Sequence, residues 1–256
     1  MFMGEEIRWE PRALTLDRLS WEEFRDYLAD GTDLALIPVG STEQHGPNGS
    51  FAVDAGRAEI FARKLAERLY PKAFSVPVVS YGVSPHHLHF PGTLSLRPET
   101  FMMLLRDVID SLYQHGVRKY FIINGHGGNA PALTLTLGEL KRDYPDIKAG
   151  WASFTALGLD AVRDQVTSRV YGHACEIEMS QAMYLAPWTV KEARSAGAVC
   201  ASTNKGPGAF PIHWAQGFEE MTENGALGDA RNARWDWGRD MVELALDRLT
   251  EELENL

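Results

Sequence analysis

Two short runs of consecutive apolar residues constrain the fold of this chain more than any other feature. They are Leu34–Val39 (LALIPV) and Lys119–Asn124 (KYFIIN). Apolar residues at successive positions indicate a strand that is buried on both faces, which is typical of a parallel sheet. Parallel strands need long crossover connections, and these are usually helices. The two segments therefore predict an α/β fold.

Helical patterns alternate with strand patterns along the chain. A capping-box pattern at Ser20 and Glu23 predicts a helix that begins near Trp21. Apolar periodicity predicts further helices over 56–69, 98–114, 131–144, 173–185 and 235–253, and further strands over 74–80 and 149–154. This alternation predicts a single α/β domain, residues 1–256, with a mostly parallel central sheet and helices on both faces.

Charge and cysteine content restrict the partners and the compartment. The formal net charge is −10, whereas nucleic-acid binding needs a basic face, so no nucleic-acid partner is expected. The two cysteines, Cys175 and Cys200, are too few for a disulfide framework, which favours the cytoplasm. No run reaches the roughly 18 apolar residues of a spanning helix, and no secretory signal begins the chain. No membrane insertion is therefore expected.

Side chains that can bind metal follow the two buried strands. Glu43 and His45 lie in GSTEQHGP, Asp54 follows nine residues after His45, and His126 lies in NGHGGN. The carboxyl ends of parallel strands open at one edge of the sheet, so these four side chains are expected to converge. Carboxylate and imidazole ligands suit Zn, Mn or Fe, and a carboxylate such as Asp54 can bridge two ions about 3.5–4 Å apart. Two divalent metal ions would generate a hydroxide that attacks a carbonyl group.

Two other interpretations of these motifs are weaker. Gly125, Gly127 and Gly128 could present backbone N–H groups to a phosphate. The segment has neither the Walker spacing nor the GxGxxG spacing, so a metal-binding histidine is the favoured interpretation. Cys175 is expected to pack rather than to act as a nucleophile, because the sequence identifies no base beside it.

The motifs taken together resemble the creatininase family. GSTEQHGP, Asp54, YGVSPHHLHFPGTLSL, NGHGGN, GHACEIEMS and NGALGD occur in the order and approximate spacing of that family, over about residues 34 to 230. The resemblance implies a creatininase-like α/β domain with two divalent ions and a small-molecule substrate, a cyclic amide or related carbonyl compound. It also implies a homo-oligomer, usually a homohexamer.

The resemblance also assigns roles to individual residues. Glu43, His45, Asp54 and His126 match metal ligands, with Asp54 as the bridge, and His173 matches a catalytic histidine that transfers a proton to the leaving group.

The fifth metal ligand has two candidates. Creatinine-hydrolysing members resemble NGHxEN, and this chain has Gly128 in the place of their glutamate. Glu178 fits the glutamate of the family's HAGxxET segment. Glu176 is the alternative, because helical spacing places it nearer the face of His173.

Departures from the family pattern concern the pocket. Asn48 to Ser50, His86, Cys175 and Met179 replace common family residues, and Tyr171 and Gly172 precede His173 where creatinine-hydrolysing members resemble a tryptophan pattern. Creatinine itself is therefore not the expected substrate, which is a small cyclic amide or a related compound. His87 is a secondary candidate for substrate contact, and 204–218 is a candidate lid or oligomer contact.

The expected activity is metal-dependent hydrolysis of a small cyclic amide. One alternative keeps the metals and opens the ring of a cyclic keto-polyol of the inosose type by C–C cleavage. An alternative of another class is a non-catalytic ligand-binding protein that retains the fold.

Overall fold

The computed structural model describes residues 14–166, 168, 172–191, 199–200 and 215–256. The strands are β1 (Leu14–Thr15), β2 (Leu34–Val39), β3 (Ala73–Ser75), β4 (Lys119–Asn124), β5 (Lys148–Ser153), β6 (Val199–Cys200) and β7 (Gly228–Asp229). The helices are α1 (Trp21–Ala29), α2 (Val53–Arg68), α3 (Pro98–Gln114), α4 (Ala130–Asp143), α5 (Phe154–Gly158), α6 (Glu176–Leu185) and α7 (Trp235–Glu254).

The central sheet is parallel, as predicted. Its strand order is β1-β3-β2-β4-β5, and β6 and β7 form a separate antiparallel pair. Every residue of β2 is buried. Successive side chains of a strand point to opposite faces. Ala35, Ile37 and Val39 accordingly pack in one core cluster with α3 and α4, and Leu34 and Leu36 pack in another with α2 and α7. Helices therefore cover both faces of the sheet.

The order of the strands creates a crevice between β2 and β4. The chain leaves β2 through α2 to reach β3 on one side, and then passes through α3 to β4 on the other side of β2. Such a reversal of strand order opens a crevice at the carboxyl ends of the strands, where α/β proteins bind ligands. Val39 lies opposite Asn124, so the two strand ends are level.

Several predicted boundaries differ from the structure; the helix predicted over 173–185, for example, begins at Glu176. The strand predicted over 74–80 ends at Ser75, and beyond it only Val79 bridges to Val39. Pro77 has no N–H group to donate to the ladder, which accounts for the early end. Helix α2 begins at Val53 rather than at 56, so its first turn includes Asp54.

Two other expectations concern a membrane and a lid. None of the helices in the described part of the chain is long and apolar enough to cross a membrane. The predicted lid or oligomer contact at 204–218 lies outside the described residues from 204 to 214.

Helices α6 and α7 pack so closely that one glycine contact tests their arrangement. A methyl group at Gly238 of α7 would collide with the backbone carbonyl of Ser180, whereas no described atom lies within 4 Å of the same position at Gly138 of α4. We expect Gly238→Ala to lower the free energy of unfolding by about 1–3 kcal/mol through overpacking. The control Gly138→Ala should raise it by up to about 1 kcal/mol through helix propensity. Urea unfolding of both variants measures the difference, and equal shifts would contradict the described packing.

Candidate metal centre

Two glycines let helix α2 begin directly over the ends of β2 and β4. Gly40 follows β2 and Gly125 follows β4. A Cβ atom at Gly40 would lie 2.5 Å from the Cα atom of Ala55, and one at Gly125 would lie 2.6 Å from the carbonyl oxygen of Asp54. Only glycine permits so close an approach of backbone to backbone. The carboxylate of Asp54 is thereby held at the crevice between the two strands.

Three carboxylates meet in this crevice. Glu43 lies in the segment after β2, Asp54 in the first turn of α2, and Glu178 in the first turn of α6. Glu43 and Asp54 are 0% and 1% exposed. One oxygen of each, Glu43 Oε1 and Asp54 Oδ2, is buried with no hydrogen-bond partner among the described residues. Buried charges of this kind are costly unless a cation or proton compensates them.

His126 presents a lone pair to these unpaired oxygens. Its Nε2 atom lies 3.1 Å from the carbonyl oxygen of Val83. A carbonyl only accepts, so Nε2 carries the hydrogen in the neutral ring. The other nitrogen, Nδ1, lies 3.2 Å from both Glu43 Oε1 and Asp54 Oδ2. Neutral Nδ1 has no hydrogen to offer them, so a proton or a metal ion must mediate this contact.

His45 is arranged in the same way on the other side of Asp54. Its Nδ1 atom lies 3.1 Å from the carbonyl oxygen of Glu43. Its Nε2 atom lies 3.2 Å from Asp54 Oδ1 and 3.6 Å from Glu178 Oε2. Asp54 therefore directs one oxygen to His45 and the other oxygen to His126.

His173 stands further back from the carboxylates. Its Nε2 atom lies 2.7 Å from the carbonyl oxygen of Gln44. Its Nδ1 atom lies 3.7 Å from Glu43 Oε1 and 3.9 Å from Glu178 Oε2. Three histidines thus bind a backbone carbonyl with one nitrogen and face the carboxylates with the other, as metal-binding histidines commonly do.

The pocket strongly favours positive charge. Burial alone would lower the pKa of His45, but Asp54 and Glu178 raise it to about 9. Burial opposes protonation of His126 as well, yet Glu43 and Asp54 raise its pKa. Burial and the charge of Asp54 would raise the pKa of Glu43, but His126 is the main group that brings it down to about 2. Divalent cations could replace these protons, because metal binding and protonation compete for the same lone pairs.

The available ligand atoms fit divalent metal ions. The geometric groups of possible ligands within 4.8 Å of one another are Glu43–His45–Asp54, His45–His173–Glu178 and Glu43–His87–His173. Buried carboxylates and imidazoles suit borderline transition metals, and the unpaired carboxylate oxygens offer vacant ligand positions. The side chains predicted to converge from the sequence therefore do converge.

The two candidate glutamates occupy different positions. Glu178 Oε2 accepts the backbone N–H of Ala174 at 2.6 Å and faces His45. Glu176 Oε2 instead accepts from the backbone N–H of Asp229 at 3.4 Å. The geometry thus brings Glu178 beside the other carboxylates and turns Glu176 away to the β7 segment.

Gly128 has no room for the glutamate that other family members carry there. A Cβ atom at Gly128 would collide with the carbonyl oxygen of Val83 and with the ring of His126. Burial raises the pKa of Cys175 to about 11, which agrees with its expected packing role and not with a nucleophile.

Arg57 belongs to the cluster although the sequence analysis did not select it. Its buried guanidinium lies 3.0 Å from Asp54 Oδ1 and pairs with Glu178 Oε1. It also donates to the carbonyl oxygen of Gly125 at 3.1 Å and to Gln181 Oε1 at 3.0 Å. The available signal was an arginine one helical turn after Asp54, in phase with the buried apolar stripe of α2.

His87, the secondary candidate, also reaches the cluster. Its Nε2 atom lies 3.3 Å from Glu43 Oε1. Ser84, which the sequence analysis missed, donates its hydroxyl to Glu43 Oε2. Asn48, one of the departures from the family pattern, is buried and donates to the carbonyl oxygen of Ala174 at 2.8 Å, next to His173.

Comparisons with known proteins identify the family of this chain. The creatininase family model, described as creatinine amidohydrolase, matches residues 17–253. A mycofactocin precursor peptide peptidase from Mycobacterium tuberculosis is 32% identical over 220 residues, which cover 83% of this chain and 81% of that protein. A creatinine amidohydrolase from Pseudomonas putida is 31% identical over 139 residues, or 51% of this chain and 53% of that protein.

A solved creatinine amidohydrolase (creatininase) has the same fold. It superposes with a TM-score of 0.80 at 24% identity and covers 95% of this chain and 97% of that chain. The resemblance and the enzyme class predicted from the motifs are confirmed, because the family match spans most of the chain. The chain belongs to the creatininase family of metal-dependent hydrolases.

Proposed function

We propose that this chain hydrolyses an amide bond with two divalent metal ions held by five side chains. These are Glu43, His45, Asp54, His126 and Glu178. The observation that carries the proposal is the orientation of His45 and His126. Each donates one N–H to a backbone carbonyl and directs its other nitrogen at buried carboxylate oxygens.

Asp54 is the proposed bridge between the two positions. Its Oδ2 atom shares a neighbour, His126, with Glu43, and its Oδ1 atom shares a neighbour, His45, with Glu178. These contacts support one ion position among Glu43, Asp54 and His126, and a second among His45, Asp54 and Glu178. Zinc and manganese both suit such ligands.

His173 is the proposed proton carrier. When bound, the ions would lower the pKa of a water molecule and polarise the substrate carbonyl. Burial lowers the pKa of His173, so the ring is neutral near pH 7 and its Nδ1 atom can accept a proton. The carbonyl of Gln44 holds Nε2 and aims Nδ1 at the cluster. His173 can then pass the proton to the leaving nitrogen.

The names of similar proteins support both reactions, and the share of this chain that is similar favours an amide over a cyclic ketone. A 3-dehydro-scyllo-inosose hydrolase from Thermotoga maritima is 33% identical over 120 residues, which cover 46% of this chain and 37% of that protein. Creatinine amidohydrolase and mycofactocin precursor peptide peptidase both denote cleavage of an amide C–N bond. The peptidase is similar over the larger share of this chain. A short peptide therefore joins the small cyclic amide as a substrate class to be tested. A homohexameric assembly and a cytoplasmic location are further proposals, which rest on the family resemblance and on composition.

Substitution of the proposed bridge should remove metal and activity together. Asp54→Asn removes the negative charge shared by both ion positions and replaces one of the two oxygens with an NH2 group, so we expect metal content to fall below one ion per chain and kcat to fall at least about 100-fold. Elemental analysis and single-substrate kinetics measure these changes. The control Asp247→Asn alters an exposed aspartate far from the cluster and should keep both values. Wild-type metal content in Asp54→Asn would refute the assignment.

The two glutamates of α6 can be separated by paired substitutions. Glu178→Gln should weaken metal binding by about 10–100-fold, because a neutral amide replaces a carboxylate beside His45. Glu176→Gln keeps an oxygen that accepts the Asp229 N–H, so its metal affinity should stay near that of the wild type. Competition with a chromogenic chelator gives both affinities. The reverse ranking would make Glu176 the ligand.

Substrate class can be decided with three probes. The metal-loaded chain should release a new amine or carboxylate from cyclic amides of the hydantoin type or from short peptides, detected by mass spectrometry. A cyclic keto-polyol should remain intact. Ring opening of the ketone alone, with both amide classes untouched, would contradict the proposed amide hydrolysis.

A further inference from the structure

His87 differs from the other three histidines described at the cluster in the partner of its outer ring nitrogen. His45, His126 and His173 each donate to a backbone carbonyl and turn a lone pair inward. His87 has its Nδ1 atom 2.8 Å from Gln44 Nε2 and its Nε2 atom 3.3 Å from Glu43 Oε1. Its outer partner is thus a side-chain amide rather than a carbonyl.

The orientation of the Gln44 amide is fixed by two backbone groups. Gln44 Oε1 accepts from the N–H of Gly46 at 2.7 Å, and Gln44 Nε2 donates to the carbonyl oxygen of Gly225 at 3.0 Å. A flipped amide would place its oxygen against a carbonyl and its nitrogen against an N–H group. The group that faces His87 is therefore the NH2 donor.

This contact determines which ring nitrogen of His87 carries the hydrogen. Nδ1 must accept from Gln44, so the neutral ring has its hydrogen on Nε2, the nitrogen that lies 3.3 Å from Glu43 Oε1. His87 therefore has no lone pair toward the cluster. It can donate a hydrogen bond there, but it can neither bind a metal nor accept a proton.

The same glutamine also orients His173, through its backbone. The Gln44 carbonyl accepts from His173 Nε2, while the Gln44 side chain donates to His87. The two rings lie 4.5 Å apart between centroids, and Phe218 packs against both at 4.2 Å and 5.0 Å. Gln44 thus offers a side-chain donor to His87 and a backbone acceptor to His173, and Phe218 packs against both rings.

We propose that Gln44 is a positioning residue that gives two histidines different roles. It makes His87 a fixed hydrogen-bond donor to oxygen atoms at the cluster, and it leaves His173 as the proton acceptor. The catalytic consequence rests on the proposed hydrolase function: a substrate oxygen that approaches beside Glu43 would be bound by the N–H of His87. The orientation of the rings does not depend on that function.

The substitution Gln44→Glu tests the proposal, and His173 serves as the control within the same variant. A carboxylate cannot donate to His87 Nδ1, so we expect the hydrogen of His87 to move from Nε2 to Nδ1. The backbone carbonyl is unchanged, so His173 should keep its hydrogen on Nε2. Ring-nitrogen chemical shifts of the full chain with 15N-labelled histidine, measured with and without zinc, distinguish protonated from unprotonated nitrogens. His87→Gln and His173→Gln assign the signals.

A second variant reaches Gln44 without changing it. Gly225 has a φ of +85°, and a Cβ atom there would collide with Gln44 Oε1. Gly225→Ala should therefore shift the His87 signals by displacing the amide. Gly116 has a similar φ of +96° and no described atom within 4 Å of the added position, so Gly116→Ala reports backbone strain alone. It should leave the His87 signals unchanged.

The outcomes separate this proposal from the proposed function. A wild-type His87 with its hydrogen on Nδ1, or a Gln44→Glu chain in which both histidines or neither change, would overturn the proposal. Altered His87 and unaltered His173 would support it, as would a loss of about 100-fold in kcat on the amide substrate. The metal content of the same wild-type samples is an independent measurement. A wild-type chain that binds no metal would overturn only the hydrolase proposal.

Discussion

The constraint on which the site depends is the burial of carboxylate oxygens that form no hydrogen bond with the described residues. Glu43 Oε1 and Asp54 Oδ2 are in this position, and the nearest nitrogen, His126 Nδ1, has its lone pair turned to them because Val83 holds the other ring nitrogen. Protein atoms alone do not satisfy this arrangement. Cations do, and the glycines after β2 and β4 allow the backbone to bring the charged groups so close.

Arg57 explains how a surplus of negative charge is tolerated while metal positions stay available. The guanidinium binds one oxygen of Asp54 and one of Glu178. The other oxygen of Asp54 faces His126, and the other oxygen of Glu178 faces His45. Both carboxylates contact the same guanidinium nitrogen, Nη2. Arg57 therefore fixes the directions of both carboxylates. It shares Asp54 Oδ1 with His45, and it leaves Asp54 Oδ2 and Glu178 Oε2 to face the histidines.

The sequence predicted the convergence of Glu43, His45, Asp54 and His126, because buried runs identify β2 and β4 and parallel strands share one edge. Helical and strand periodicity does not predict contacts that depend on the conformation of the loops. Helical spacing would place Glu176 near the face of His173. However, α6 begins at Glu176 and Ala174 has a φ of +51°, so the helix does not extend back to His173. The pairing of Gln44 with His87 likewise joins two loops that no periodicity relates.

Helix packing remote from the sheet also contributes to the proposed metal position. Where Gly128 excludes a glutamate from the loop after β4, the carboxylate available is Glu178, which α6 supplies from the other side of the crevice. Helix α6 is held in turn by α7, whose Gly238 allows contact with the backbone at Ser180. A ligand on the β4 loop would depend on the sheet alone. With the proposed ligand Glu178 on α6, the geometry of the candidate site depends on the α6–α7 contact. The candidate site is thereby coupled to the carboxyl-terminal helix.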